Sequence, residues 1–353
     1  GILPAPRVAR LAGQMEKRAS HKLRSIRRLA RLGTLEAEVA AAVREALHPR
    51  TAICEDDFLT AQRQVYEDVL QDDICNTYPP PRGADRIILK QILAVLQDGT
   101  DLPVDDDLFS LCVERLAAAD DASSPFAGYR TLELEEDACV VLRIAPHFGG
   151  DLETGGRLWS AGCAMLGLAA RGFLDEYLWG HVLELGAGTG LFGLGLARRG
   201  GKVARVTLTD GQEAVLRNLG HNLDANRGLG HLVPCEVAPL DWGTTDELPE
   251  VVCSADVVVG TDLTYDRDAL PSLVRIIRSL LQPLGRARHA VLAVMQRSKE
   301  NFRILQEELR KSELAFGELA LPGEAAEVAA LWASLADDVA EGEVPHFLRV
   351  FAP

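Results

Sequence analysis

The residues best placed to do chemistry lie in one short stretch, His181 to Gly201, which reads HVLELGAGTGLFGLGLARRGG. A strand-forming run ends in the acid Glu184, and Gly186, Gly188 and Gly190 follow at alternate positions, with Ala187 between the first two. Glycines so spaced allow a tight turn and a close approach of backbone to ligand. A dinucleotide would bring a pyrophosphate, which wants bare amides at a helix N-terminus. Its fingerprint would also place a third glycine where Leu191 stands. A carboxylate ahead of the loop opposes phosphate and favours a cation. S-adenosylmethionine (AdoMet) has an ammonium, a sulfonium and no phosphate, so it suits this turn.

Three further sites follow. Asp210 ends the run VTLTD, 20 residues past Gly190, and a carboxylate there can accept both hydrogen bonds of a ribose diol. Asp241 and Trp242, in APLDWG, offer an acceptor and a flat apolar wall for an adenine ring. The run DVVVGTDLTYD closes another strand with Thr261, Asp262 and Tyr265, at the end from which a substrate-facing residue projects. Each has a plainer alternative: a strand-end charge for Glu184, helix N-caps for Asp210 and Asp262, core packing for Trp242 and Tyr265.

The elements that must position these residues alternate. Strands are expected over 181–185, 204–209, 233–239, 255–261, 289–295, 314–320 and 346–351, and helices over 189–199, 212–226, 267–281 and 299–312. Such alternation implies right-handed βαβ units and a parallel sheet. The last two strands lack a crossover helix and are expected to pair antiparallel. Between them, residues 324–344 read as an acidic, helical insertion. Upstream, 129–145 reads as a strand pair and 160–178 as a helix with Ser160 as N-cap. Before that, helices are expected over 1–48, 56–73, 84–98 (Gly99 as C-cap) and 104–121, with the proline-rich connector NTYPPPRG at 76–83. The domain reading is therefore a helical region over 1–125, with substrate recruitment as its expected role, and a catalytic domain over 126–353.

Composition narrows the class. The chain has 353 residues, 47% hydrophobic and 25% charged, with a net charge of −15. Such acidity disfavours general nucleic-acid binding, which needs Lys and Arg against phosphate. No run of 18 apolar residues suggests a membrane span. Seven cysteines without a CxxC pair read as free thiols of a reducing compartment, and no zinc or other metal site is expected. Residues 1–35 carry nine Lys or Arg and one acid, Glu16. This segment is read as a helix docking its basic face on the acidic body, or as part of a transit peptide. The expected location is cytoplasmic, or organellar under the second reading, and the expected state is a monomer.

Together these pieces resemble the seven-β-strand protein-lysine methyltransferases, over roughly 129–353. The resemblance rests on the loop 184–190, Asp210, LDW at 240–242, DLTY at 262–265 as a D-x-x-Y signature, and the Trp-containing GGRLWSAG at 155–162. The helical N-terminal region with YPP at 78–80 is similar to the eukaryotic elongation factor 2 lysine methyltransferase branch. The resemblance implies a Rossmann-like seven-stranded sheet with an antiparallel last strand, preceded by a short β-hairpin, and AdoMet as cofactor. It implies that Trp159, Glu184, the loop 186–190, Asp210, Asp241, Trp242 and Thr261 bind the cofactor. Asp262 and Tyr265 would be catalytic, lining the channel for a lysine of a protein substrate. A methyltransferase for small molecules, nucleic acids or other protein side chains, a non-catalytic adaptor of the same fold, and an NAD-linked oxidoreductase remain the competing readings.

Overall fold

The computed structural model describes residues 36–47, 55–98, 103–118, 126–135, 138–145, 152, 154–244, 247–281, 285–338 and 345–353. The basic segment 1–35, Cys54, Gly99 and the end of the insertion, 339–344, lie outside them. The chain divides into two compact units, Gly1–Leu132 and Glu133–Pro353.

The first unit is helical: α1 (Glu36–Leu47), α2 (Glu55–Val65), α3 (Asp73–Thr77), α4 (Arg82–Asp98) and α5 (Asp106–Ala117). Apolar residues at helical spacing, including Val43, Leu47, Val65, Ile88, Ile92 and Leu108, meet in one core. The helix expected over 56–73 is not continuous. After Val65 it widens into a π-turn, Tyr66–Leu70, and α3 restarts behind Asp72, whose carboxylate caps the Cys75 amide. The connector is shorter than expected, because α3 runs to Thr77 and α4 begins at Arg82. Proline is tolerated immediately before a helix, where the missing N–H costs nothing.

The strands β1 (Gly128–Glu135) and β2 (Ala138–Ile144) form a two-stranded sheet. Beyond them come α6 (Ser160–Ala170), β3 (Gly180–Leu185), α7 (Leu191–Arg199), β4 (Val203–Asp210), α8 (Glu213–Gly228), β5 (Cys235–Pro239), α9 (Glu250–Cys253), β6 (Val257–Thr261), α10 (Leu270–Leu281), β7 (His289–Val294), α11 (Lys299–Lys311), β8 (Ala315–Glu318), α12 (Glu324–Ala333) and β9 (His346–Phe351). Seven of these strands form one sheet, in the order β5-β4-β3-β6-β7-β9-β8. The first five pair in parallel, while β9 runs antiparallel to both β7 and β8. The last strand is thus inserted between two neighbours rather than added at an edge. Its pattern fits an interior place: Phe347, Leu348 and Val350 are buried.

The parallel strands are near-continuous apolar runs because helices cover both faces. Val257, Val258 and Val259 of β6 are fully buried, as are Ala290 and Val291 of β7. On α8, Asn218, Asn222 and Asn226 recur every fourth residue and are all buried. Asn222 accepts the Arg143 amide at 2.8 Å and Asn226 the Val141 amide at 3.1 Å. A polar ladder on one helix face thus satisfies the open backbone of β2.

Two details differ from expectation. The helix 160–178 ends at Ala170, its remainder forming turns. Its N-cap is Trp159, not Ser160, whose hydroxyl instead donates to Asp338 at 2.7 Å. Among the described residues of the insertion, α12 is the helical part; in the turn that follows it, Asp337 and Asp338 face back to the start of α6.

Candidate active site

The order of the sheet reverses at β3, which has β4 on one side and β6 on the other. Ligands of open α/β sheets bind at the carboxyl ends of the strands flanking such a point. A cleft of about 550 Å³ lies there, within the range of small-molecule sites. It is lined by every residue proposed from sequence: Trp159, Glu184, Gly186, Ala187, Gly188, Asp210, Asp241, Trp242, Thr261, Asp262 and Tyr265, with the single exception of Gly190.

Gly190 acts one step back, as the left-handed N-cap of α7 at φ +82°. Gly186 and Gly188 are also left-handed, at φ +60° and +56°, a region costly for residues with a Cβ. A Cβ on Gly188 would also stand 3.2 Å from the Gly155 carbonyl oxygen, so the loop leaves its inner face as bare backbone. The helix-packing role of a third glycine falls to Gly193, two residues beyond the expected position. A side chain there would strike Glu184 and Leu208.

That close approach explains Glu184. Its carboxylate is buried and accepts the Gly193 amide at 2.9 Å. Burial pushes its pKa up to about 8, against the pull of that amide and with a further push from Asp210. Asp210 ends β4, where its two oxygens accept the Gly188 amide at 3.2 Å and the Gln212 amide at 3.1 Å. Burial raises this carboxyl too, opposed by those amides. Neither acid has a cationic partner among the described residues. Two desolvated carboxylates beside a bare-backbone turn form a site for a cationic, diol-bearing ligand.

Trp242 forms the wall beside the turn, its ring 3.3 Å from where a Cβ on Gly186 would sit. Its buried indole N–H has no acceptor among the described residues, which leaves it open to a ligand's acceptor. Asp241 is exposed at the rim, where the amide of Gly243 and then Thr244 hold its carboxyl below the usual range. The chemistry of these residues fits AdoMet: acids suited to a cation and a ribose diol, and an aromatic wall suited to an adenine.

The other end of the cleft is built differently. Asp262 follows β6 in the left-handed region, φ +56°; it does not cap α10, which starts only at Leu270, but accepts the Ala161 amide in the first turn of α6 at 3.4 Å. One oxygen accepts the Met295 amide at 3.2 Å, the other the Arg297 guanidinium at 2.9 Å. Burial raises its pKa, opposed by Arg297. Tyr265 stands at the mouth, 58% exposed, so it is no packed core aromatic. Asn301 holds its loop by donating to the Thr264 carbonyl at 2.8 Å. Trp159 donates its indole N–H to the Thr154 carbonyl at 3.0 Å and presents its ring to Arg297, 5.1 Å away.

Arg297 and Asp338 are functional candidates that the sequence reading missed. Arg297 was open to discovery by the strand-end rule, since it follows β7 as Asp262 follows β6. Asp338 had no local signal: it sits about 75 residues past the D-x-x-Y run, in an insertion read only as acidic helix.

The strand order, the glycine turn and the paired acids define the fold of the seven-stranded, AdoMet-dependent methyltransferases. Residues 140–310 match the family model described as lysine methyltransferase. It is 31% identical over 143 residues to EEF1A lysine methyltransferase 3 of Xenopus tropicalis, covering 40% of this chain and 59% of that one. The mouse protein of that name is 32% identical, over 41% and 58% respectively. The protein-lysine N-methyltransferase EFM3 of Saccharomyces cerevisiae is similar over a longer stretch, 25% identical across 76% of this chain and 79% of its own. The match to the frog and mouse relatives therefore spans less than two thirds of their length.

Proposed function

We propose that this chain is an AdoMet-dependent protein-lysine N-methyltransferase acting on a translation elongation factor. The observation that carries the reading is the asymmetry of one cleft. Its inner end has two carboxylates, the buried Glu184 and the half-buried Asp210, without cations among the described residues, and its mouth has an acid, Asp262, beside a largely exposed aromatic, Tyr265. The family match and the names of the relatives support lysine in a protein as the acceptor, and the EEF1A of two names supports an elongation factor.

Bound AdoMet would supply an activated methyl on a sulfonium, ready for in-line displacement. The protein's task is then alignment and a dry channel. Tyr265 packs along the aliphatic stem of the acceptor lysine. Asp262 receives its ammonium. A free lysine near pKa 10.4 is only about 0.1% neutral at physiological pH, and desolvation in the cleft pushes that value down. Asp262 pushes it up, so Asp262 positions the amine, and water takes the proton.

The acidic chain makes a basic protein surface the natural partner. We place the enzyme in the cytoplasm, a reading supported by six free cysteines among the described residues, and take it to act as a monomer. The helical unit recruits the substrate protein.

The test is incubation of a cell lysate with the enzyme and labelled AdoMet, followed by mass spectrometry. Methyl-lysine on a protein, insensitive to nuclease, is expected. Label confined to nucleic acid or small molecules overturns the reading, and absence of a thermal shift with S-adenosylhomocysteine (SAH) would favour the non-catalytic adaptor.

A further inference from the structure

The insertion between β8 and β9 reaches the acceptor end of the cleft. Its helix α12 lays Trp332 against Gly167 of α6, where any side chain would collide with the indole. The following turn is fastened by backbone and side chain together. Asp337 donates its amide to the Leu158 carbonyl at 2.9 Å and accepts the Leu158 amide at 2.9 Å. Asp338 accepts the Ser160 amide at 2.9 Å and the Ser160 hydroxyl at 2.7 Å, all on one oxygen. Capping α6 thus uses half of the carboxylate. The other oxygen pairs with Arg297, through the same guanidinium nitrogen that holds Asp262.

Arg297 therefore joins two largely buried acids, each about 7% exposed, while its flat face lies over Trp159. Burial opposes its charge, but the two carboxylates outweigh that and raise its pKa. Two carboxylates and one guanidinium leave the cluster at a net charge of −1. One more monovalent cation would make it neutral, and the cleft opens beside it, with the acids Asp266 and Asp268 also on its lining.

We propose that Arg297 and Asp338 are specificity-determining residues for the acceptor, acting through the charge they add. With Asp262 they form a three-charge cluster whose balance, completed by the insertion, admits a single alkylammonium. Arg297 cancels one of the two negative charges. Asp338 supplies the charge that keeps the sum negative. This inference rests on the proposed lysine specificity and extends it to two residues outside the D-x-x-Y signature.

The test uses the full chain saturated with SAH at pH 8, titrated with n-butylammonium as a mimic of the lysine side chain and followed by calorimetry. Wild type is expected to bind. Asp338→Asn, which takes the cluster to zero, lowers butylammonium affinity about tenfold, the scale of one partly buried ion pair. Asp338→Glu restores it. Arg297→Gln, at −2, retains or strengthens binding, and the double variant Arg297→Gln/Asp338→Asn, back at −1, returns to within about threefold of wild type. SAH affinity, measured in every variant, reports an intact cofactor end. A purely structural role predicts instead that both single changes weaken binding and that the double is weakest, which would overturn the proposal. Equal affinity in the Asn and Glu variants of Asp338 would also overturn it, and needs no Arg297 variant to fold. Wild type that binds SAH but not butylammonium sinks this inference alone, whereas wild type that does not bind SAH removes the functional reading and the inference with it.

Discussion

The two ends of the cleft treat carboxylates in opposite ways. At the glycine turn, the buried Glu184 and the half-buried Asp210 have only backbone amides as described hydrogen-bond partners. At the mouth, Asp262 and Asp338 share Arg297. A buried charge without a counter-charge shifts its pKa towards neutrality, which is what Glu184 does in rising to about 8. Such an acid stands ready for a ligand that brings the missing cation. A pair bridged by a guanidinium has its counter-charge within the fold, and Arg297 opposes the rise that burial gives Asp262. The cofactor end is therefore set by desolvation, the acceptor end by charge balance.

The sharpest break of this contrast is at the turn itself. Gly188→Val puts a β-branched residue at φ +56° with its Cβ 3.2 Å from the Gly155 oxygen. Strain of roughly 2–3 kcal/mol should lower SAH affinity by about a hundredfold, as read by calorimetry; unchanged affinity would mean that the turn does not carry the cofactor. At the other end, Asp262→Asn should cut turnover at least about tenfold, roughly 1.4 kcal/mol of barrier, while leaving SAH affinity nearly intact. Equal loss of both would erase the distinction between the two ends.

Glu184 allows a pH test. Its carboxyl is neutral below, and ionised above, about pH 8 in the ligand-free protein. Because the folded value lies above the unfolded one, the ligand-free fold loses stability as pH rises from about 4.5 through about 8. Affinity for AdoMet should run the other way. It rises as pH increases through about 8, with proton release on binding, and Glu184→Gln flattens the dependence. A flat profile in the wild type would show that the ligand's cation does not face Glu184. The smallest effect is expected at Trp242. Trp242→Phe keeps an aromatic wall but deletes an N–H that has no acceptor among the described residues, so SAH affinity should fall only about threefold, while the ligand-free melting temperature holds or rises. A drop in that temperature would mark the indole as a packing element alone.

Much of this was legible from local pattern. Period-two and period-3.6 hydrophobicity located the seven strands and the main helices of the catalytic unit to within about two residues at most ends, because burial on one or both faces imposes those periods directly. The residues of the cleft were legible for a related reason: strand ends and glycine turns are sequence-local features, and the sheet gathers them at one edge. The helical ends around Tyr66 and Ala170 were less so, since a π-turn and an early stop depend on neighbours rather than on composition.

The sequence by itself determined the alternating strands and helices, the left-handed glycines of the turn and the row of acids at the strand ends, since each follows from steric limits and periodicity within a few residues. Only the tertiary structure decided the charge state and company of those acids. Whether Glu184 lies beneath a helix or in solvent depends on how closely Gly193 lets α7 approach. Whether Asp262 stands alone depends on an arginine 35 residues onward and an aspartate 41 residues beyond that. Desolvation and Coulomb attraction act through space, so no reading along the chain could have supplied them.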